Sequence, residues 1–274
     1  MAHFQIENLS FSYPTAAGRE SLRDVCLTVE RGEYIVLCGK SGSGKTTLLR
    51  HLKPVLAPHG QRSGRILFNA LPIEQVPAAI QAGKIGYVMQ NPNQMICKSM
   101  IFDEVALGLR LRGVDEQTVT EKVEHALKIC GLYPFRKWPI SALSFGQKKR
   151  VTIASILVME PQILILDEPT VGLDPRQITE IRSLIRTLSK GRTIVFSSHI
   201  LSELSLMCDG YLFIQGGNIV KHLTREELHQ ECRNYLHIHT DNDELALAVL
   251  QEKLQITSFD VQKDGSITLY EYVD

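Results

Sequence analysis

Apolar and polar positions alternate over residues 3 to 9 and 24 to 30, which predicts half-buried strands. "EYIVLCG" (33 to 39) is a continuous apolar run that stops at glycine and turns into "KTTLLRHL", a helical pattern. A buried strand, a Gly-rich loop and a helix are expected there. "GRILFNA" and "KIGYVMQN" read as further strands, and the stretch from Phe102 to about Ile129 as mostly helical. "QILILDEP" (162 to 169) reads as a second buried strand, "PRQITEIRSLIRTLSK" as an amphipathic helix after a proline, and "RTIVFSSH" as a third buried strand. "YLFIQGGNIV" reads as a hairpin. Strands alternating with helices predict an α/β core.

Near Thr224 the pattern changes. "NYLHIHT" alternates, "DELALAVLQEKL" is helical, and "FDVQKDGSITLYEY" is a hairpin marked by Asp264-Gly265. Residues 1–224 are therefore expected to form the main domain and 225–274 a small appended α+β unit. His237 and His239, two apart on a strand, read as a polar strand face.

Composition narrows the function. The 274 residues carry 30 basic and 30 acidic side chains, which disfavours a strongly electropositive nucleic-acid binder. Six scattered cysteines without a C-x-x-C suggest reduced thiols rather than a zinc site or disulfide framework. "MAHFQIENLS" has neither the basic nor the apolar region of a signal peptide, and no run of 18 apolar residues is present. Work at a membrane would need another chain to hold this one there.

"GKSGSGKT" (39 to 46) satisfies G-x-x-x-x-G-K-[ST]. Its glycines let successive backbone N–H groups from Gly39, Lys40, Ser41, Gly42, Ser43 and Gly44 converge on phosphate oxygens. Lys45 can reach the β- and γ-phosphates, and the Thr46 hydroxyl can ligate Mg²⁺, with Thr47 next in line. The following helix adds its positive end. Asp167 and Glu168 end a buried strand, where open parallel sheets place their ligands. Asp167 would hold Mg²⁺ and Glu168 would polarise the attacking water.

With these residues in place, the chain resembles the ATP-binding cassette (ABC) ATPases that drive ABC transporters, over at least residues 4 to 222. "SFGQ" looks like the family signature, usually LSGGQ; Gln90 in "YVMQN" like the Q-loop glutamine; "VGLDP" (171 to 175) like the D-loop; His199 in "SSH" like the switch histidine. Tyr13 in "FSYP" resembles the aromatic on which adenine stacks. The resemblance implies a P-loop NTPase of the ABC type: a mixed sheet core, an antiparallel β subdomain and a helical subdomain at about 91–160. It implies ATP and Mg²⁺ as cofactors, Gln90 as a metal and water ligand, and His199 on the γ-phosphate.

The resemblance also implies a head-to-tail pair, identical or not, in which each ATP lies between one phosphate loop and the opposing signature. Ser144, Gly146, Gln147 and Asp174 would then serve a second cassette's nucleotide, with a helix starting near Gln147. Phe145 replaces the usual first glycine; an ordinary backbone conformation would let its ring turn away from the nucleotide. Lys148, Lys149 and Arg150 read mostly as a solvated basic helix face. The other implied partners are a transmembrane permease and a substrate-binding membrane subunit, with no nucleic acid, and the implied place is cytoplasmic, on the inner face of the cell membrane.

Two subfamilies are matched in different parts of the chain. "LKPVLAPHGQRSGRILF", "QNPNQMI" and "SFGQKKRVTIASILVMEPQILILDEP" look like energy-coupling-factor ATPases, which power uptake of vitamins and metal ions. From about Val171 onward the chain looks more like ATPases of bacitracin- and lantibiotic-type exporters. The importer reading is preferred because the surface facing a permease, residues 91 to 112, lies in its half. An ABC ATPase acting on nucleic acid would carry long coiled-coil insertions or two cassettes, and this chain has neither.

Overall fold

The computed structural model describes residues 2–14, 20–199, 208–231, 236–238, 245–246, 249–253, 259–261 and 266–269. In chain order the first elements are β1 (Ala2–Ser12), β2 (Glu20–Glu30), β3 (Tyr34–Cys38), α1 (Lys45–His51), β4 (Gln61–Phe68), β5 (Leu71–Pro72), α2 (Ala78–Lys84) and β6 (Ile85–Val88). Then come α3 (Ile101–Leu111), α4 (Glu116–Ile129), α5 (Phe145–Leu157), β7 (Ile163–Leu166), α6 (Pro175–Leu188), β8 (Thr193–Ser198), β9 (Gly210–Gln215) and β10 (Asn218–Thr224). The last are α7 (Arg225–Glu231), β11 (Leu236–Ile238), β12 (Phe259–Val261) and β13 (Ile267–Leu269).

The continuous apolar runs become the centre of a mixed sheet ordered β10-β9-β3-β8-β7-β6. Its strands from β9 to β6 run parallel, and β10 returns antiparallel as the second arm of a hairpin. Every residue of β3, β6, β7 and β8 is buried, as strands covered on both faces must be. The alternating stretches form a separate antiparallel sheet, β2-β1-β4-β5. Its inward residues Phe4, Ile6, Leu9, Leu22, Val25 and Ile66 share one core with Ile35, Leu37, Leu48 and Leu49. Fully burying each such side chain contributes about 1.5–3 kcal/mol.

Between β6 and β7 the helices α3, α4 and α5 pack on one another. Gly113, at φ 71, turns the chain between α3 and α4. The segment leading into α3 is joined to the segment leading into α5. Ile101 and Phe102 donate backbone hydrogen bonds to Trp138 and Arg136, and Ile140 donates to Ser99.

The chain divides into two compact units, Met1–Thr224 and Arg225–Asp274. In the second, β11-β13-β12 form an antiparallel sheet, and Leu250 and Ile267 form a small core. His237 lies on β11. His239 and the Asp264-Gly265 turn lie outside the described residues.

Candidate nucleotide site

Parallel register builds the site. Cys38 pairs with Ser198, Phe196 with Leu166, and Leu166 with Val88, so β3, β8, β7 and β6 end at one edge. The residues just past those ends are Gly39, His199, Asp167-Glu168 and Met89-Gln90. Four chain segments distant in sequence therefore deliver their polar groups to one place.

The loop 39 to 46 closes tightly over this edge. A Cβ on Gly39 would lie 2.4 Å from the Ile214 carbonyl oxygen. Gly42 and Gly44 stand at φ 78 and 109, where other residues are strained. Gly44 caps α1 without a side-chain hydrogen bond, so the first N–H groups of that helix remain open to an anion. Ser43 is buried and its Oγ has no partner. Lys45, also buried, donates from Nζ to the carbonyls of Gly39 (2.8 Å) and Lys40 (3.2 Å).

Asp167 and Glu168 do different things. Asp167 is buried and accepts three hydroxyl hydrogen bonds: Thr46 and Ser197 at Oδ1, both 2.9 Å, and Tyr87 at Oδ2, 3.2 Å. Burial and the Asp167 charge push the Tyr87 phenol well above its ordinary pKa, so it stays a donor. Glu168 stands at φ 44, with its N–H on the Ser197 hydroxyl at 2.9 Å. Its carboxylate meets Lys45 Nζ at 3.2 Å through Oε1. Gln90 Nε2 (3.3 Å) and His199 Nδ1 (3.4 Å) approach Oε2. Tyr13 reaches Thr47 Oγ1 with its hydroxyl at 3.1 Å and sets its ring edge-on to Phe11.

Lys45, Thr46, Gln90, Asp167, Glu168 and His199 are thus gathered into one cluster. The signature residues sit elsewhere: Ser144, Gly146, Gln147 and Asp174 line a concavity of about 470 Å³ together with Arg150 and Gln177. Helix α5 begins at Phe145, two residues before the expected start, because Ser144 and Gln147 form a capping box. Gln147 N–H donates to Ser144 Oγ (3.2 Å) and Ser144 N–H to Gln147 Oε1 (2.9 Å). The Ser144 hydroxyl hydrogen is not used in that exchange. Asp174 caps α6 by accepting from Gln177 N–H at 2.8 Å. Phe145 has no positive φ, and its ring lies against Gly172.

The solvated basic face is corrected. Lys149 is buried, and Arg150 pairs with Glu180 and donates to the Cys130 carbonyl. The three-cation run gave no sign of this, because α5 turns its middle lysine toward the turn after β7. Ser197 and Tyr87 support Asp167, and their only signal in the sequence is a hydroxyl near the end of a buried strand.

The family described as ABC transporter matches residues 22–171, and the chain belongs to that family. An ABC transporter ATP-binding protein of Lactobacillus johnsonii, provisionally so named, is 49% identical over 208 residues, 76% of this chain and 36% of that protein. The chain spans well under half the length of the curated relatives it matches. The solved structure of cbiO1 from Clostridium perfringens, part of the ABC transporter complex cbiONQ, is 32% identical with a TM-score of 0.75 and covers 93% of this chain and 97% of its own. A bacterial Atm1-family ABC exporter with ATP bound is 26% identical with a TM-score of 0.70, over 83% of this chain and 39% of its own.

The family uses ATP and Mg²⁺, and the donor set fits both. Two oxygen donors, the Thr46 hydroxyl and the Asp167 carboxylate, meet beside the phosphate loop, and Mg²⁺ is held by few protein oxygens plus phosphates. The uncapped start of α1 and the Lys45 ammonium suit a polyphosphate.

Proposed function

We propose that this chain is the ATP-hydrolysing subunit of a membrane transporter, working as one of two cassettes that close head to tail around Mg-ATP and drive a transmembrane permease. The observation that carries the reading is the meeting of Lys45, Gln90 and His199 on the Glu168 carboxylate, one residue from the Asp167 that Thr46 contacts. Gly39 to Thr47 cradle the phosphates, and Lys45 neutralises the β- and γ-phosphate oxygens. Thr46, Asp167 and Gln90 would hold Mg²⁺, which when bound would screen the charge developing on the phosphates. Glu168 takes the proton of the water that attacks the γ-phosphorus as the bond to the bridging oxygen breaks. His199 orients that water and the γ-phosphate. Tyr13 offers its ring to adenine. Ser144, Gly146 and Gln147 serve the nucleotide held by the other cassette, with Asp174 beside them.

Uptake of a vitamin or metal ion is the transport direction we favour. The likeness to cbiO1 runs through nearly the whole of both chains, whereas the exporter shares only part of its length. The subunit would sit on the inner face of the cell membrane, held by its permease alongside a substrate-binding membrane subunit; among the described residues no helix is long and apolar enough to cross a membrane. Residues 1–224 form the nucleotide-binding domain, with helical subdomain 91–160.

The test is Glu168→Gln. It is expected to bind ATP as the wild type does and to lose turnover about 10²–10⁴-fold, the usual worth of a general base. Near wild-type ATPase activity would remove Glu168 from that role. Pull-down from membranes should recover a permease, and recovery of nucleic acid instead would count against transport.

A further inference from the structure

Lys149 is a buried cation that the chemistry above leaves unused. It is 2% exposed, one turn into α5. Its Nζ donates to three backbone carbonyls: Glu168 at 3.2 Å, Pro169 at 3.0 Å and Val171 at 2.8 Å. An ammonium has three N–H donors, and these acceptors match all of them. Burial dominates and lowers its pKa to about 8, although the Glu168 and Asp167 carboxylates support its charge.

The carbonyls belong to the turn that leaves β7, whose first residue after Asp167 is Glu168 at φ 44. Within the turn, Val171 N–H donates weakly to Glu168 O at 3.3 Å. Lys149 therefore supplies most of the donors for this piece of irregular backbone. Phe145 closes the outer side: its ring lies 5.5 Å from Lys149 Nζ, and a Cβ on Gly172 would come within 3.1 Å of it.

We propose that Lys149 is the positioning residue of Glu168: by holding the three carbonyls of the turn, it keeps the Glu168 carboxylate facing Lys45, Gln90 and His199. The inference rests on the reading of Glu168 as the general base. A side chain of similar length without N–H groups would leave the Pro169 and Val171 carbonyls without this donor and Glu168 O with only the weak Val171 N–H, and Glu168 would be free to leave its left-handed conformation. The phosphate loop and Tyr13 belong to other elements, so nucleotide affinity would be preserved.

The experiment is steady-state ATPase kinetics on the full chain, for Lys149→Met and Lys149→Arg, each alone and combined with Glu168→Gln. Lys149→Met is expected to lower kcat about 10- to 100-fold with KM for ATP within about threefold, the cost of a misplaced catalytic group. Lys149→Arg, still a cation with several N–H donors, is expected to recover most of kcat. In the Glu168→Gln background, Lys149→Met is expected to cause no further loss. Should Lys149→Met fail to fold, Lys149→Gln, which is shorter, uncharged and keeps two N–H donors, is expected to lose less kcat than Lys149→Met would, still more than Lys149→Arg, with KM for ATP within about threefold. Unchanged kcat, a loss carried by KM, or a loss that persists in the Glu168→Gln background would overturn the proposal. A wild-type chain without ATPase activity would overturn the proposed function itself.

Discussion

Glu168 occupies a backbone region that costs a residue other than glycine about 1–3 kcal/mol. Charge-assisted hydrogen bonds contribute about 1.5–3 kcal/mol each, so the Lys149 contacts are of the right size to offset that strain. Neither the strain nor the lysine's burial could be read from the letters: "DEP" and "KKR" are ordinary surface vocabulary, and only the packing of α5 on the turn makes them partners. Asp167, Lys45 and Thr46 were legible because a glycine-broken phosphate loop and a strand-ending acid are local patterns. His51 gives a pH prediction. It is buried, its Nδ1 lies 2.7 Å from the Thr47 carbonyl, and burial holds its pKa below 6.5. A lowered folded pKa means that the unfolded chain takes the proton first, so this contribution is present above pH 6.5 and lost as pH falls below it. His51→Gln should show a smaller loss of stability from pH 7 to pH 5 than the wild type, measured by urea unfolding.

Among the elements, the buried strands and the helical stretch from Phe102 to about Ile129 were legible, whereas the joining of that stretch to the start of α5 and helix α2 were not. Continuous apolar runs ending in glycine or an acid mark β3 and β7 plainly. The pairing of 99–102 with 136–140 joins segments with no shared pattern, and α2 has no buried residue to give it a periodicity. The phosphate loop separates two glycine effects. Gly42 and Gly44 both have positive φ, but a Cβ on Gly42 would meet open space, whereas one on Gly44 would lie 2.7 Å from the Ser21 carbonyl oxygen. Gly42→Ala should therefore cost about 1–2 kcal/mol, the left-handed penalty alone. Gly44→Ala should cost clearly more and shift β2 as well. Denaturant midpoints and nucleotide affinity of the two variants check this, and equal costs would refute the steric part.

For the whole chain, the proposed function assigns Ser144, Gly146 and Gln147 to a second cassette's nucleotide, and they line a concavity that does not include Lys45, Gln90 or Glu168. Dimerisation should be ATP-dependent and strongest in Glu168→Gln, where the nucleotide is not consumed; light scattering with and without Mg-ATP shows it, and a strictly monomeric protein would refute the pairing. The division after Thr224 leads to a second expectation. Residues 1–224 expressed alone should unfold cooperatively and bind ATP within about threefold of the full chain, since the gathered side chains all lie in that unit. The change of pattern at Thr224 was visible in the sequence, whereas the purpose of the last fifty residues was not, because strand alternation there carries no chemistry of its own.

The capping box at the start of α5 bears on the speed of that pairing. Ser144 and Gln147 satisfy each other's backbone within a single chain, so the start of α5 is already capped without any other molecule. Little side-chain freedom remains to be lost on closure. In the pairing proposed above, closure would then need no local refolding of the signature, and its timing would follow nucleotide occupancy.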